Sequence, residues 1–308
     1  MNYKKKYIKY KKKYIALKTQ IAGNKPLYNK TIKTAVKLWI DDKDKAIKEY
    51  GHISKWNTAE VTDMSHLFYK KESFNEDISK WDVSNVTNMS FMFHNATSFN
   101  KDISKWIVGN VTNMWSMFDN ATSFNQDISK WDVSNVNNMK AMFKSAHEFN
   151  QDIGDWNVEN VKDMSFMFND TIQFNHDINN WKVDNVEDMH DMFSGTTIFN
   201  KPLNKWNTSK ITNISNMFKN ASFFNKSLND WNVSNVTIMR DVFNNASSFN
   251  EPLNNWKTSK VTNMVKMFHY AEKFNQDISK WDVRKVTNMD DMFSGAENME
   301  KKNKPKFI

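Results

Sequence analysis

Apolar residues recur along this chain with one fixed spacing, and that spacing organises everything else. Trp stands at 56, 81, 106, 131, 156, 181, 206, 231, 256 and 281, every 25 residues without a gap. With the repeated Phe as position 1, full units begin at Phe74, Phe99, Phe124, Phe149, Phe174, Phe199, Phe224, Phe249 and Phe274, after a degenerate first unit starting near Glu49. Positions 1, 5, 8, 10, 13, 16, 19 and 20 are apolar, and position 23 is small. Positions 8 and 10 alternate as on a strand, whereas 13, 16, 19, 20 and 23 follow the spacing of one helical face. The pattern predicts a short strand near Lys80 to Ser84 and a short helix near Val86 to His94. Ser84, Asn85 and Thr87 stand where a helix start wants a cap. Position 22 is often Asn or Gly (Asn95, Asn120, Gly195), residues that tolerate the left-handed conformation closing a helix.

One 25-residue unit cannot bury so many large side chains alone, but stacked copies bury one another. The expected fold is an α/β repeat solenoid, leucine-rich-repeat-like: ten 25-residue coils, a parallel sheet on one side, short helices on the other and a helical N-terminal cap. Its core is expected to hold Trp81, Trp106, Trp131, Trp156, Phe93, Phe118, Met89 and Met114. Asn recurs at position 2 in all nine full units, from Asn75 to Asn275. Such regularity reads as an amide ladder between coils, not as a site.

The ends differ from the body. The expected segments are a basic amphipathic helix over 1–23, a linker over 24–30, a helical cap over 31–50, the repeats over 51–298 and a basic tail over 299–308. Tyr3, Tyr7, Tyr10, Tyr14, Leu17 and Ile21 form a heptad-spaced seam flanked by Lys. That helix is a solvated tail, a coiled-coil contact, or a contact with a membrane or nucleic-acid surface. Residues 1–50 hold 15 Lys against 4 acids and the tail adds three positive charges, so a chain of net charge +8 keeps a body of −6. A body of that sign repels phosphate, which confines nucleic-acid or membrane contact to the basic N-terminal helix.

Candidate chemistry is sparse. With no Cys there is no disulfide, thiolate metal site or thiol nucleophile. The seven His fall at scattered repeat positions, and neither HExxH nor a Gly-rich phosphate loop is present. The Asp row at position 4 (Asp77, Asp102, Asp127) is explained by turn hydrogen bonding. The expectation is a protein that is not an enzyme and needs no cofactor or metal. Binding candidates come from two sources. Lys80, Asp82, Lys130 and Asp132 lie on the solvent row of the expected sheet. Ile107, Phe91, Trp115 and Phe166 are apolar departures on polar rows. No secretory signal precedes the repeats, so an intracellular or virion location is expected over classical secretion.

The units "FNQDISKWDVSNV" and their continuation resemble the BspA-like leucine-rich-repeat family over residues 35–298. That family is known from mycoplasma and bacterial surface proteins and is abundant in giant DNA viruses of protists. The opening "MNYKKKYIKYKKKYIALK" is similar to N-termini common in giant-virus proteins. The resemblance implies a leucine-rich-repeat-like solenoid that binds proteins or surfaces and carries no catalytic residues. The expected function is therefore a scaffold for protein–protein interaction. The alternative is a virion or adhesin-like surface protein that binds glycan or self-associates.

Overall fold

The computed structural model describes residues 9–11, 13 and 25–306. Successive 25-residue coils lie in parallel register: Asp63 bridges Asn88, Asn88 bridges Asn113, and the column continues to Asn263 and Asn288. Coil 1 starts near Glu49, coil 2 at Phe74 and coil 10 at Phe274.

The expected sheet and helices do not form. Each bridge is isolated, so among the described residues there is no strand, and the coils contain no α-helix. Both absences have local causes. The segment Lys80 to Ser84 lies between two tight turns, Trp81 N donating to Ile78 O (3.0 Å) and Val86 N to Val83 O (2.9 Å). Asp82 Oδ1 then accepts from Ser84 N at 3.0 Å, which closes a further side-chain turn. The alternating burial of Trp81, Asp82 and Val83 thus comes from a corner in the chain.

Where the helix is expected, residues 18 and 22 of every coil adopt positive φ; Phe91 and Asn95 are both at 57°. Their N–H groups leave the coil. Met89, Phe91, Phe93 and Asn95 donate to the carbonyls of Asn113, Trp115, Met117 and Asp119 at 2.8–3.0 Å. Within the coil only three-residue closures remain, such as Met92 N to Met89 O and Ala96 N to Phe93 O. Chained turns of three put apolar side chains at 16, 19, 20 and 23, the same spacing a helix face produces.

The core is built from aromatic columns. Phe93, Phe118 and Phe143 follow one another at centroid separations of 5.5 and 5.8 Å, nearly parallel. The position-1 Phe rings form a second column, and the two interleave closely, as with Phe93 and Phe99 at 3.9 Å. Trp81, Trp106, Trp131 and Trp156 are buried, as are Met89 and Met114. From Trp81 to Trp281 each repeated Trp Nε1 donates to the position-5 carbonyl of the preceding coil, Trp106 to Ile78 for example, whereas Trp56 in coil 1 donates to Gly51 O. The position-2 amides ladder as well: Asn125 N donates to Asn100 Oδ1 and Asn150 N to Asn125 Oδ1, each at 3.0 Å.

Two helices close the first coil, α1 (Asn29–Asp41) and α2 (Lys43–Tyr50). They part at Asp42, whose side chain caps α2 by accepting from Lys45 N at 2.9 Å. α1 buries Ile32, Ala35, Val36 and Trp39, and Trp39 meets Trp56 edge-on at 5.9 Å. In later coils the position-14 N–H donates to the coil before, as Thr87 does to Thr62 O. Coil 1 has no predecessor, and Asn29 Oδ1 takes that place by accepting from Thr62 N and Asp63 N.

Candidate interaction surface

The turn segment that replaces the expected helix displays positions 17, 18, 21 and 22 on one rim of the stack. Position 18 has a left-handed backbone in every coil, which costs a non-Gly residue roughly 1 kcal/mol and is easiest for Asn, Asp or Gly. Coils 6, 7, 8 and 10 use Asp191, Asn216, Asp241 and Asp291 there. Coils 2 and 5 instead place Phe91 and Phe166 at φ of 57° and 59°. Neither ring belongs to the buried core, so the strain at these two sites contributes surface.

Around Phe91 the rim is aromatic. Its ring stacks on His66 from coil 1 at 4.8 Å and meets Trp115 from coil 3 at 4.7 Å. One row over, Tyr69 stacks on His94 at 4.9 Å. Trp115 is 38% exposed. The patch therefore runs over three coils, with His66 and Trp115 exposed and Tyr69, Phe91 and His94 half-buried. At its end, His94 Nδ1 is buried without a hydrogen-bond partner and lies 3.2 Å from Asp119 Oδ2, which also accepts from Ser116 Oγ. Burial pushes the His94 imidazole below its ordinary pKa and the Asp119 carboxyl above its own, so both neutral forms are favoured.

The second patch centres on Phe166. Lys144 Nζ lies 5.3 Å and Lys140 Nζ 6.0 Å from its ring centroid, and His190 meets it edge-on at 4.6 Å. His190 Nδ1 lies 2.7 Å from Asp188 Oδ1. That hydrogen bond raises the His190 pKa against the opposing effect of burial. Burial alone raises Asp188, but the hydrogen bonds from the His190 side chain and backbone outweigh it and leave the carboxyl below its usual value. Burial raises neighbouring Asp191, whose carboxylate accepts from Asn216 Nδ2 at 3.0 Å.

The chain matches the family model described as "Mycoplasma protein of unknown function, DUF285" over residues 41–152, 127–227 and 198–306. It belongs to this family. No curated relative matches it. The three overlapping matches tile the same coils whose register the bridges fix, so this DUF285 chain is a repeat protein in sequence and in structure alike.

The residues singled out from the sequence separate into three groups. Phe91 and Trp115 are in ring contact, and Phe166 belongs to the adjacent patch on the same rows. Ile107 is 69% exposed but sits on the position-9 row. Lys80, Asp82, Lys130 and Asp132 occupy the rows of the corner turns. Asp82 and Asp132 there accept from Ser84 and Ser134, whose hydroxyls hold both carboxyls below their ordinary pKa. Those acids serve local turns. Tyr3, Tyr7, Tyr14, Leu17 and Ile21 lie outside the described residues, and Tyr10 is exposed.

His66, Tyr69, His94, Lys140, Lys144 and His190 are the residues that reading along the chain missed. They come from four different coils, and only reading down columns 17, 18 and 21 assembles them. In this DUF285 chain the Ser116, Asp119 and His94 group also places the carboxylate between hydroxyl and imidazole. Activation of a Ser nucleophile needs the imidazole in the middle. Among the described residues no three potential metal-ligating side chains converge.

Proposed function

We propose that this DUF285 protein is a non-catalytic scaffold that binds a protein partner through the rim centred on Phe91 and Trp115. The observation that carries the reading is Phe91 itself: a large aromatic residue held at positive φ on the surface, in ring contact with His66 and Trp115. A residue kept there for packing would be buried, as Ala141 is in coil 4, and the residues best suited to the turn are the Asn and Asp of coils 6, 7, 8 and 10. Aromatic side chains clustered at a solvent-facing rim are the usual anchors of protein interfaces. The resemblance to BspA-like surface proteins points the same way.

Proximity labelling in the native cell tests this, with the wild type compared against Phe91→Asn and Trp115→Ser. The expected result is a set of labelled proteins lost in both variants, whose thermal midpoints stay close to the wild type. Identical labelling in all three proteins overturns the reading.

A further inference from the structure

The stack is finished differently at its two ends. In coil 9, Met264, Lys266, Phe268 and Tyr270 donate their N–H groups to the carbonyls of Asn288, Asp290, Met292 and Ser294 in coil 10 at 2.8–2.9 Å. Met289, Asp291, Phe293 and Gly295 hold the same positions in coil 10, and among the described residues their N–H groups donate to nothing. The apolar columns end open as well. Val286 and Phe293 are half-buried and Met289 is 39% exposed, whereas positions 13, 16 and 20 of the earlier coils are all buried. The C-terminal tail closes only the other half of this end: Ile278 N donates to Asn303 O at 3.0 Å and Asn303 Nδ2 to Asn275 O at 3.1 Å. Over the Phe293 ring the tail places only Lys304 Nζ, 4.9 Å from the centroid.

We infer that this open edge receives a coil of the same repeat type, carried by a protein other than a second copy. The polarity of the edge selects the occupant. The carbonyls of Asn288, Asp290, Met292 and Ser294 are taken by coil 9, and those of Met289, Asp291 and Phe293 accept from Met292, Ser294 and Ala296 within coil 10. The outward row is therefore made of donors alone, and it calls for main-chain carbonyls at every second residue. An ordinary β-strand sets an N–H beside each carbonyl along its edge and would leave those N–H groups unpaired. A second copy meeting edge to edge would set N–H against N–H. Meeting head to tail, it would find coil 1 closed by α1, which buries Ile32, Ala35, Val36 and Trp39. An uncapped coil of this repeat supplies acceptors at positions 15, 17, 19 and 21, and its position-16 and position-20 side chains continue the columns of Met289 and Phe293. This contact lies at the end of the stack and does not depend on the reading of Phe91.

The test is amide hydrogen exchange of the full chain, followed by NMR, with and without a synthetic peptide of residues 136–146. That peptide carries the coil-4 acceptors Asn138, Lys140, Met142 and Lys144. In the free chain, exchange at Met289, Asp291, Phe293 and Gly295 is expected to be about tenfold faster, or more, than at Met264, Lys266, Phe268 and Tyr270. The peptide is expected to slow exchange at the four coil-10 amides, and a scrambled peptide of the same composition is not. Met289→Lys, at an already exposed side chain, is expected to abolish the protection. Should it also speed exchange in coil 9, Met289→Ser replaces it with the same expectation. Exchange in the free chain no faster at the four amides than in coil 9 overturns the inference, because the chain would then close its own edge. Protection that grows with protein concentration alone overturns it in favour of a second copy. Equal protection by the scrambled peptide, or none by either peptide at millimolar concentration, overturns it as well.

Discussion

The indole Nε1 of Trp131 donates to the main-chain carbonyl of Ile103, 3.2 Å away in the preceding coil. Every repeated Trp from 81 to 281 makes the equivalent bond at 2.8–3.3 Å. The Trp column therefore does two things that Phe cannot do together: it fills the corner of each coil, and it gives a carbonyl of its neighbour a second donor beside that coil's own backbone N–H.

Two substitutions separate those contributions. Trp131→Phe keeps most of the apolar area and leaves Ile103 O with the Trp106 N–H (3.1 Å) as its remaining donor, and should cost about 0.5–1.5 kcal/mol. Trp131→Ala also opens a cavity and should cost about 3–5 kcal/mol. Urea denaturation followed by far-ultraviolet circular dichroism measures both. No loss in Trp131→Phe would mean that the carbonyl contact contributes nothing, and equal losses in the two variants would mean that the apolar volume does not.

On the rim, Phe91→Asn removes the ring contacts to His66 and Trp115, a loss of about 0.5–1.5 kcal/mol. It also relieves the positive-φ strain by a similar amount, so stability should change by less than about 1 kcal/mol. Trp115→Ser should be as mild, because the indole is already 38% exposed. A fall in thermal midpoint comparable to that of Trp131→Ala would place either ring in the core and remove it from the rim.

These two columns show what the sequence could and could not reveal. The Trp spacing was enough to find the repeat and its buried residues, because burial by identical neighbours leaves a period of 25 in the letters. The elements inside the unit leave no such distinct mark. Turns closing every three residues give Met89, Met92, Phe93 and Ala96 the same spacing as a helix face, and periodicity alone cannot separate the two. A hint was present at position 18, where Asp191, Asn216, Asp241 and Asp291 are residues suited to a left-handed backbone. The Lys140, Lys144, Phe166 and His190 patch was hidden for a different reason. Its members stand up to 50 residues apart in sequence and meet only through the stacking register.

The pair of His190 and Asp188 should make stability depend on pH. Its folded imidazole has a pKa raised above the ordinary 6.5 by the bond to Asp188. Protonated His190 therefore stabilises the fold fully below about that value, and the contribution is lost as pH rises through the elevated pKa. Asp188 has the opposite sign: its lowered pKa gives stability present above the ordinary 3.8 and lost as pH falls through the depressed value. The pair contributes most between those limits. His190→Gln should thus lose more stability at pH 5.5 than at pH 8.5 when compared with the wild type. Lys140 and Asp191, which also face the ring, oppose each other in their effect on it. A deficit independent of pH would show that the hydrogen bond and not the charge is what matters. His94, which burial holds below 6.5, acts against the native state on acidification, so the comparison belongs between the variant and the wild type at each pH.

The amide ladder makes the most specific chemical demand. Asn125 Oδ1 accepts both from Asn150 N at 3.0 Å and from Gln151 Nε2 at 2.7 Å, across a coil boundary. The requirement is thus for an acceptor at a fixed reach, not for an amide as such. Asn125→Asp keeps that acceptor and should cost little, apart from mild repulsion by nearby Asp127. Asn125→Ala strands the Asn150 N–H and should cost about 1–2 kcal/mol. Hydrogen exchange at the Asn150 amide resolves the two: protection retained in the Asp variant and lost in the Ala variant. Protection that survives in both would mean that the neighbouring coils, through their ring stacking, hold this turn without the ladder.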